Sequence, residues 1–147
     1  MKKPVMLLFV VFPLLLSAQV REIPEIVELH FTNQYPKASK IDFKDYVVKI
    51  QVHFELDGDQ MMATYSNKGI WKGSEKVWEF EKLPHEVMDG FEKSKYAGDD
   101  WEVDETVILY LPGNVEQYRL RVKKNDLQKK YLFFNEKGRL VRTSVTL

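Results

Sequence analysis

Cysteine is absent from the sequence, and that absence removes three kinds of chemistry. There is no disulfide framework, no thiolate metal site and no cysteine nucleophile. Glycine and proline are sparse, at 7 and 6 of 147 residues, so each reads as punctuation rather than as part of a low-complexity tract. Neither sign of charge dominates: 22 Lys and Arg balance 22 Asp and Glu. A near-neutral chain lacks the basic footprint of a nucleic-acid binder, and no nucleic-acid partner is expected. The catalytic signatures are missing too. No HExxH is present, "KGSEK" at 72–76 lacks the second glycine of a serine-nucleophile elbow, and no glycine-rich phosphate loop exists. No enzyme activity and no cofactor are expected.

Long apolar runs are missing after residue 16. Before it, Lys2 and Lys3 precede an apolar stretch from Val5 to Leu16, broken by Pro13, and Ser17-Ala18-Gln19 follows. A charged start, a short apolar run and small residues are the order of a secretory signal peptide. The run is shorter than the ~20 apolar residues a spanning helix needs. The expectation is a signal peptide at 1–18, cut after Ala18, leaving residues 19–147 as one domain with no membrane contact. That domain would be periplasmic or secreted. Its size suits a single core without covalent staples.

What the sequence does contain is an echo. "IPEIVELHF" at 23–31 returns as "LPHEVMDGF" at 83–91. Ile23, Ile26, Val27, Phe31 and Tyr35 recur at helical spacing in the first copy, and Leu83, Val87, Met88 and Phe91 do so in the second. Pro24 and Pro84 suit helix starts, because a missing N–H costs nothing there. After each helix the period falls to two. Val48, Ile50, Val52, Phe54 and Leu56 alternate with Lys49, Gln51, His53 and Glu55, as in a strand with one buried and one wet face. Tyr118, Leu120 and Val122 alternate with Gln117, Arg119, Arg121 and Lys123 in the same way. Asp57-Gly58, Asn67-Lys68-Gly69, Pro112-Gly113-Asn114, Asn125-Asp126 and Asn135-Glu136-Lys137-Gly138 read as turns. The fold class is therefore α+β, with two tandem helix–β4 units at about 22–79 and 82–147 sharing one core. The second unit has the longer first hairpin.

The signal peptide, the two copies of (I/L)PxxVxxxF, "YPKASKIDF" and the NKG and NEKG turns together resemble the PepSY-like, or beta-lactamase-inhibitor-like, secreted proteins of Bacteroides-type bacteria. The resemblance covers almost all of residues 19–147. It implies one curved antiparallel sheet with both helices on one face. It also implies a non-enzymatic role, binding or inhibiting an exported protein. "YAGDDW" stands where the first copy has "YPKASK", a departure from the chain's own repeat.

The face of the sheet left open by the helices is the candidate site. It is expected to present Lys49, Gln51 and His53 from one half and Arg119, Arg121 and Lys123 from the other, with Tyr110 beside them. Tyrosine and arginine are enriched at binding hot spots. Charge reversal at Arg119 and Arg121 is expected to weaken binding and leave thermal stability unchanged. The alternative is a small-ligand or weak calcium site in the acidic stretch Asp99, Asp100, Glu102, Asp104 and Glu105. The alternation of Asp100, Glu102 and Asp104 with Trp101 and Val103 reads instead as a solvated strand face. "DGDQ" at 57–60 lacks the further ligands of a calcium loop and reads as a hairpin. His30, His53 and His85 form no ligand pair and read as solvated or packed side chains. The sequence sets no oligomeric state.

Overall fold

The computed structural model describes residues 22–145. The leader read at 1–18 lies outside them. The chain runs α1 (Glu25–Gln34), β1 (Ser39–Asp45), β2 (Lys49–Leu56), β3 (Asp59–Ser66) and β4 (Trp71–Val77). A 3-10 turn at Phe80–Lys82 leads into α2 (His85–Glu92), β5 (Glu102–Leu111), β6 (Val115–Asn125), β7 (Gln128–Asn135) and β8 (Leu140–Val145). The eight strands form one sheet in sequence order, and each pairs antiparallel with the next.

Local chemistry explains the elements. Pro24 and Pro84 cap the two helices in extended conformations, and their carbonyls accept the first helical bonds from Val27 and Val87. Asp57 and Gly58 both hold positive φ, at 52° and 89°, the geometry a two-residue hairpin requires. Gly113 and Asn114, at 84° and 61°, make the β5–β6 turn. That hairpin is long, pairing from Leu111↔Val115 to Glu102↔Lys123.

The register shows which side chains share a face. Val52 lies opposite Ala63, Ala63 opposite Ser74, Ser74 opposite Tyr110, and Ile108 opposite Tyr118. Leu120 and Leu132 continue the same face. Both helices cover it. Val27 and Phe31 of α1 pack with Ile50, Val52, Phe54, Met61, Ala63 and Tyr65. Leu83, Val87 and Phe91 pack with Ile108, Tyr118, Leu120, Val122, Leu132 and Phe134. Each fully buried aliphatic side chain contributes roughly 1.5–3 kcal/mol. Tyr110 packs against both groups and joins them.

Two residues depart from the expected stripes. Ile26 is 40% exposed because it lies over the β3–β4 turn, where a side chain at Gly69 would meet its Cγ1 at 3.0 Å. Val48 is 77% exposed because β2 begins after it. It belongs to a tight turn in which its N–H donates to the Tyr46 carbonyl, 2.7 Å away, and Val47 holds φ +66°.

Candidate functional site

Among the described residues no helix lies on the opposite sheet face, yet that face is not uniformly wet. Four consecutive residues of β5, Thr106 to Leu109, are buried, as are Leu132, Phe133 and Phe134 of β7. Alternation sends Val107, Leu109 and Phe133 to the open side, where they pack together with Leu111 and Tyr131 at their edge. Charged side chains lie over this apolar strip. Arg119 donates two hydrogen bonds to Glu75, at 2.9 and 2.7 Å, and one to Glu105 at 2.9 Å. Its guanidinium sits 4.9 Å from the Tyr131 ring centre, and that of Arg142 lies 3.8 Å from the Phe133 ring centre.

A β-bulge next to this strip brings further charge onto it. The register shifts between Val103 and Glu105, so Asp104 and Glu105 both reach Arg121. Arg121 Nε donates to Asp104 at 2.7 Å, and Nη1 lies 3.1 Å from Glu105. The Asp104 hydrogen bond, opposed by burial, raises the Arg121 pKa above the usual arginine value. At Arg119 burial alone would lower the pKa; Glu75 and Glu105 more than offset it and raise it. Bidentate, charge-assisted contacts of this kind fix geometry as well as charge.

Two hollows flank the network. One, of about 450 Å³, is lined by His53, Glu55, Gln60, Met62, Val107 and Arg119, among others. The second, of about 300 Å³, lies where Gly73 has no side chain and is walled by Thr64, Leu109, Leu111 and Phe133. Glu75 and Arg119 line both. The open face is thus an apolar trough crossed by an ion-paired bar.

The structure brings together some of the expected residues and separates others. Arg119 and Arg121 are neighbours on β6, and His53 lines the larger hollow with Arg119. Gln51, opposite Thr64, lies on the same face one step along β2. Lys49 sits at the far end of that strand, its ammonium 5.5 Å from the Tyr46 ring centre. Lys123 stands at the opposite end of the sheet, 3.5 Å from Glu102. Tyr110 is displaced entirely. Its register partners Ser74 and Glu116 place it on the helix-covered face, because alternation along β5 sends Leu109 and not Tyr110 to the open side. Reversal of Arg119 and Arg121 is now expected to cost stability as well as binding. Both are held by carboxylates, and Arg119 is only 17% exposed.

The acidic stretch is not a vacant cation site. Asp100, Glu102, Asp104 and Glu105 each meet a lysine or arginine. Among the described residues no group of three or more His, Cys, Asp or Glu side chains is arranged to hold a metal. His30 is structural: its Nδ1 donates to the Gly69 carbonyl at 2.6 Å. Sequence reasoning missed Glu75, Met62, Val107, Leu109 and Phe133. The signal for the last three was present in "TVILYL" and "YLFF", where apolar residues occupy both parities and mark strands buried on both faces.

No family profile matches the chain, and no curated protein matches it in sequence. Solved structures do match it. A BLIP-like protein from Bacteroides fragilis superimposes with a TM-score of 0.77 at 22% identity, over 87% of this chain and 89% of that one. The chain has the BLIP-like fold. A DUF2874 family protein from Bacteroides ovatus gives a TM-score of 0.77 at 21% identity, covering 85% and 89% of the two chains. A Bacteroides eggerthii protein described as a candidate periplasmic protein gives 0.74 at 20% identity, over 85% and 90%. Among the described residues no helix is long and apolar enough to cross a membrane.

Proposed function

We propose that this chain is a non-enzymatic binding module of the periplasm or the secreted fraction, which holds an exported protein against its open sheet face. The observation that carries this reading is the trough itself. Val107, Leu109 and Phe133 are less than 8% exposed on a sheet face that neither helix among the described residues covers. Arg119, Glu75 and Glu105 lie over that strip with Arg121 beside them, and the hollows flanking them leave apolar surface open at Met62, Val77 and Leu111. An apolar centre with a polar rim is the anatomy of a protein interface. Gln51, His53, Arg119 and Arg121 form the contact surface proper, and Lys49 and Lys123 mark its two ends. The BLIP-like fold supports protein binding, and the leader at 1–18 together with the candidate periplasmic relative supports export.

The module is a tandem pair of helix–β4 units in this reading. Gly69, in the last turn of the first unit, lies against α1, and Gly138, in the last turn of the second, lies against α2. The equivalence of the two turns supports a duplicated unit, and a trough spanning both halves follows from it.

The test is capture from a periplasmic extract of the native host with the tagged chain and a Met62→Arg variant. Met62 projects into the larger hollow without holding a partner in place. The expected result is a partner retained by the parent chain and lost by the variant, with both chains melting at the same temperature. Equal retention by both would remove the trough as the binding surface.

A further inference from the structure

A cavity of about 220 Å³ lies at the seam between the two cores, sharing Leu111 with the edge of the open-face trough. Trp71 and Tyr110 line it, the first packed on the α1 core and the second on both. Glu116 and Glu136 line it too. Glu116 comes from β6, directly opposite Tyr110 in the register. Glu136 comes from the turn between β7 and β8.

These carboxylates differ from the others on the sheet. Glu55, Glu75, Asp104 and Glu105 each have a lysine or arginine within ion-pair distance. Glu116 is half-buried and accepts a hydrogen bond from the Tyr118 hydroxyl. Among the described residues neither it nor Glu136, which is exposed, has a lysine or arginine within ion-pair distance, although Lys137 and Arg139 line a neighbouring hollow with both. Their charge is felt by the neighbouring phenols. Burial, then the hydrogen bond and charge of Glu116, then Glu136, raise the Tyr118 pKa, and burial followed by Glu116 raises that of Tyr110. A half-buried carboxylate with no counter-charge is a costly arrangement, and a cation relieves it.

We propose that this cavity is a subsite for an alkylammonium group. Two carboxylates supply the charge, and Trp71 and Tyr110 supply aromatic surface that attracts a cation and covers an aliphatic stem. An anion would be repelled by both glutamates. A divalent metal would find two carboxylates where it needs several oxygens. The same chemistry fits a free aliphatic amine and a lysine side chain presented by a protein.

The experiment follows the indole N–H signal of Trp71 by NMR, assigned with Trp71→Phe. The probes are 1,5-diaminopentane, Nα-acetyl-lysine amide and, as a neutral control, Nα,Nε-diacetyl-lysine amide. The variant is Glu116→Gln, which keeps the oxygen that accepts from Tyr118. The expected result is a saturable shift of Trp71 and of the β5–β6 turn with a cationic probe, weakened about tenfold in Glu116→Gln and absent with the neutral control. Binding of the diamine with the blocked lysine silent identifies a free amine as the source. Comparable binding of both identifies a lysine side chain. No saturable shift at about 10 mM of either cation, or equal binding by Glu116→Gln, overturns the proposal.

Discussion

Replacing Arg119 by methionine tests the ion-paired bar most severely. Methionine keeps most of the aliphatic stem and removes the charge and the donors. Arg119 is 17% exposed, and its partners Glu75 and Glu105 are 30% and 27% exposed. Its removal leaves Glu75 without a cation and both carboxylates pointing at one apolar site. Breaking a fully buried pair costs about 3–5 kcal/mol, and an exposed one about 0–1 kcal/mol. The partial exposure here places the expected loss between them, at about 1.5–3 kcal/mol. Urea unfolding reads this directly. With a slope of about 1–3 kcal/mol per molar for a small domain, the midpoint falls by roughly 1 M at unchanged slope. The triple variant Glu75→Gln, Glu105→Gln, Arg119→Met removes the stranded charge and is expected within about 1 kcal/mol of the parent. A single Arg119→Met within about 0.5 kcal/mol of the parent, or a triple variant no better than the single one, would refute the assignment.

Three further outcomes follow from particular residues. Gly138→Ala places a Cβ 1.8 Å from the Glu86 carbonyl oxygen at a residue with φ +71°, so a loss of about 2–4 kcal/mol is expected in thermal unfolding. Gly98→Ala, with nothing within 4 Å of the added atom, is the near-neutral control. Tyr35, Tyr65, Tyr110 and Tyr118 all have pKa values raised, first by burial. The folded state therefore holds their protons more tightly than the unfolded one. The stability they contribute is full below the ordinary value of about 10 and is lost as pH rises beyond it. Tyrosinate absorbance and unfolding are expected to appear together on the alkaline side; ionisation of these phenols without unfolding would contradict this. Val47→Asn relieves a β-branched residue at φ +66° and is expected to raise stability by about 0.5–1 kcal/mol. A drop in the urea midpoint would show that the turn needs valine.

Much of the fold was legible because its elements have clean local signals. Pro24 and Pro84 marked the helix starts, and the Ile50–Val52–Phe54 and Tyr118–Leu120–Val122 alternations gave two strands their buried faces. Asp57-Gly58 and Gly138 fixed turns through positive φ. The site was less legible for three reasons. Tyr110 was assigned to the wrong face because "TVILYL" is apolar at both parities, and only the pairing of Ser74 with Tyr110 sets its side. Glu75 meets Arg119 from a strand 44 residues away in sequence, and no local pattern encodes that contact. The acidic run looked like one solvated face, but a bulge between Val103 and Glu105 turns two successive carboxylates onto Arg121. Bulges of this kind leave little trace in composition.

The proposed role places a protein partner on the open sheet face. The direct measurement is site-specific photo-crosslinking in the periplasm of the native host, with a benzophenone side chain placed in turn at Gln51, Gln60 and Met62 on the open face and at Leu29 on the outer side of α1. Leu29 is 53% exposed, so its probe is as free to react as the others. One protein adduct shared by the three open-face positions and absent from Leu29 is expected. An adduct from Leu29 alone, or the same adduct from all four positions, would contradict it.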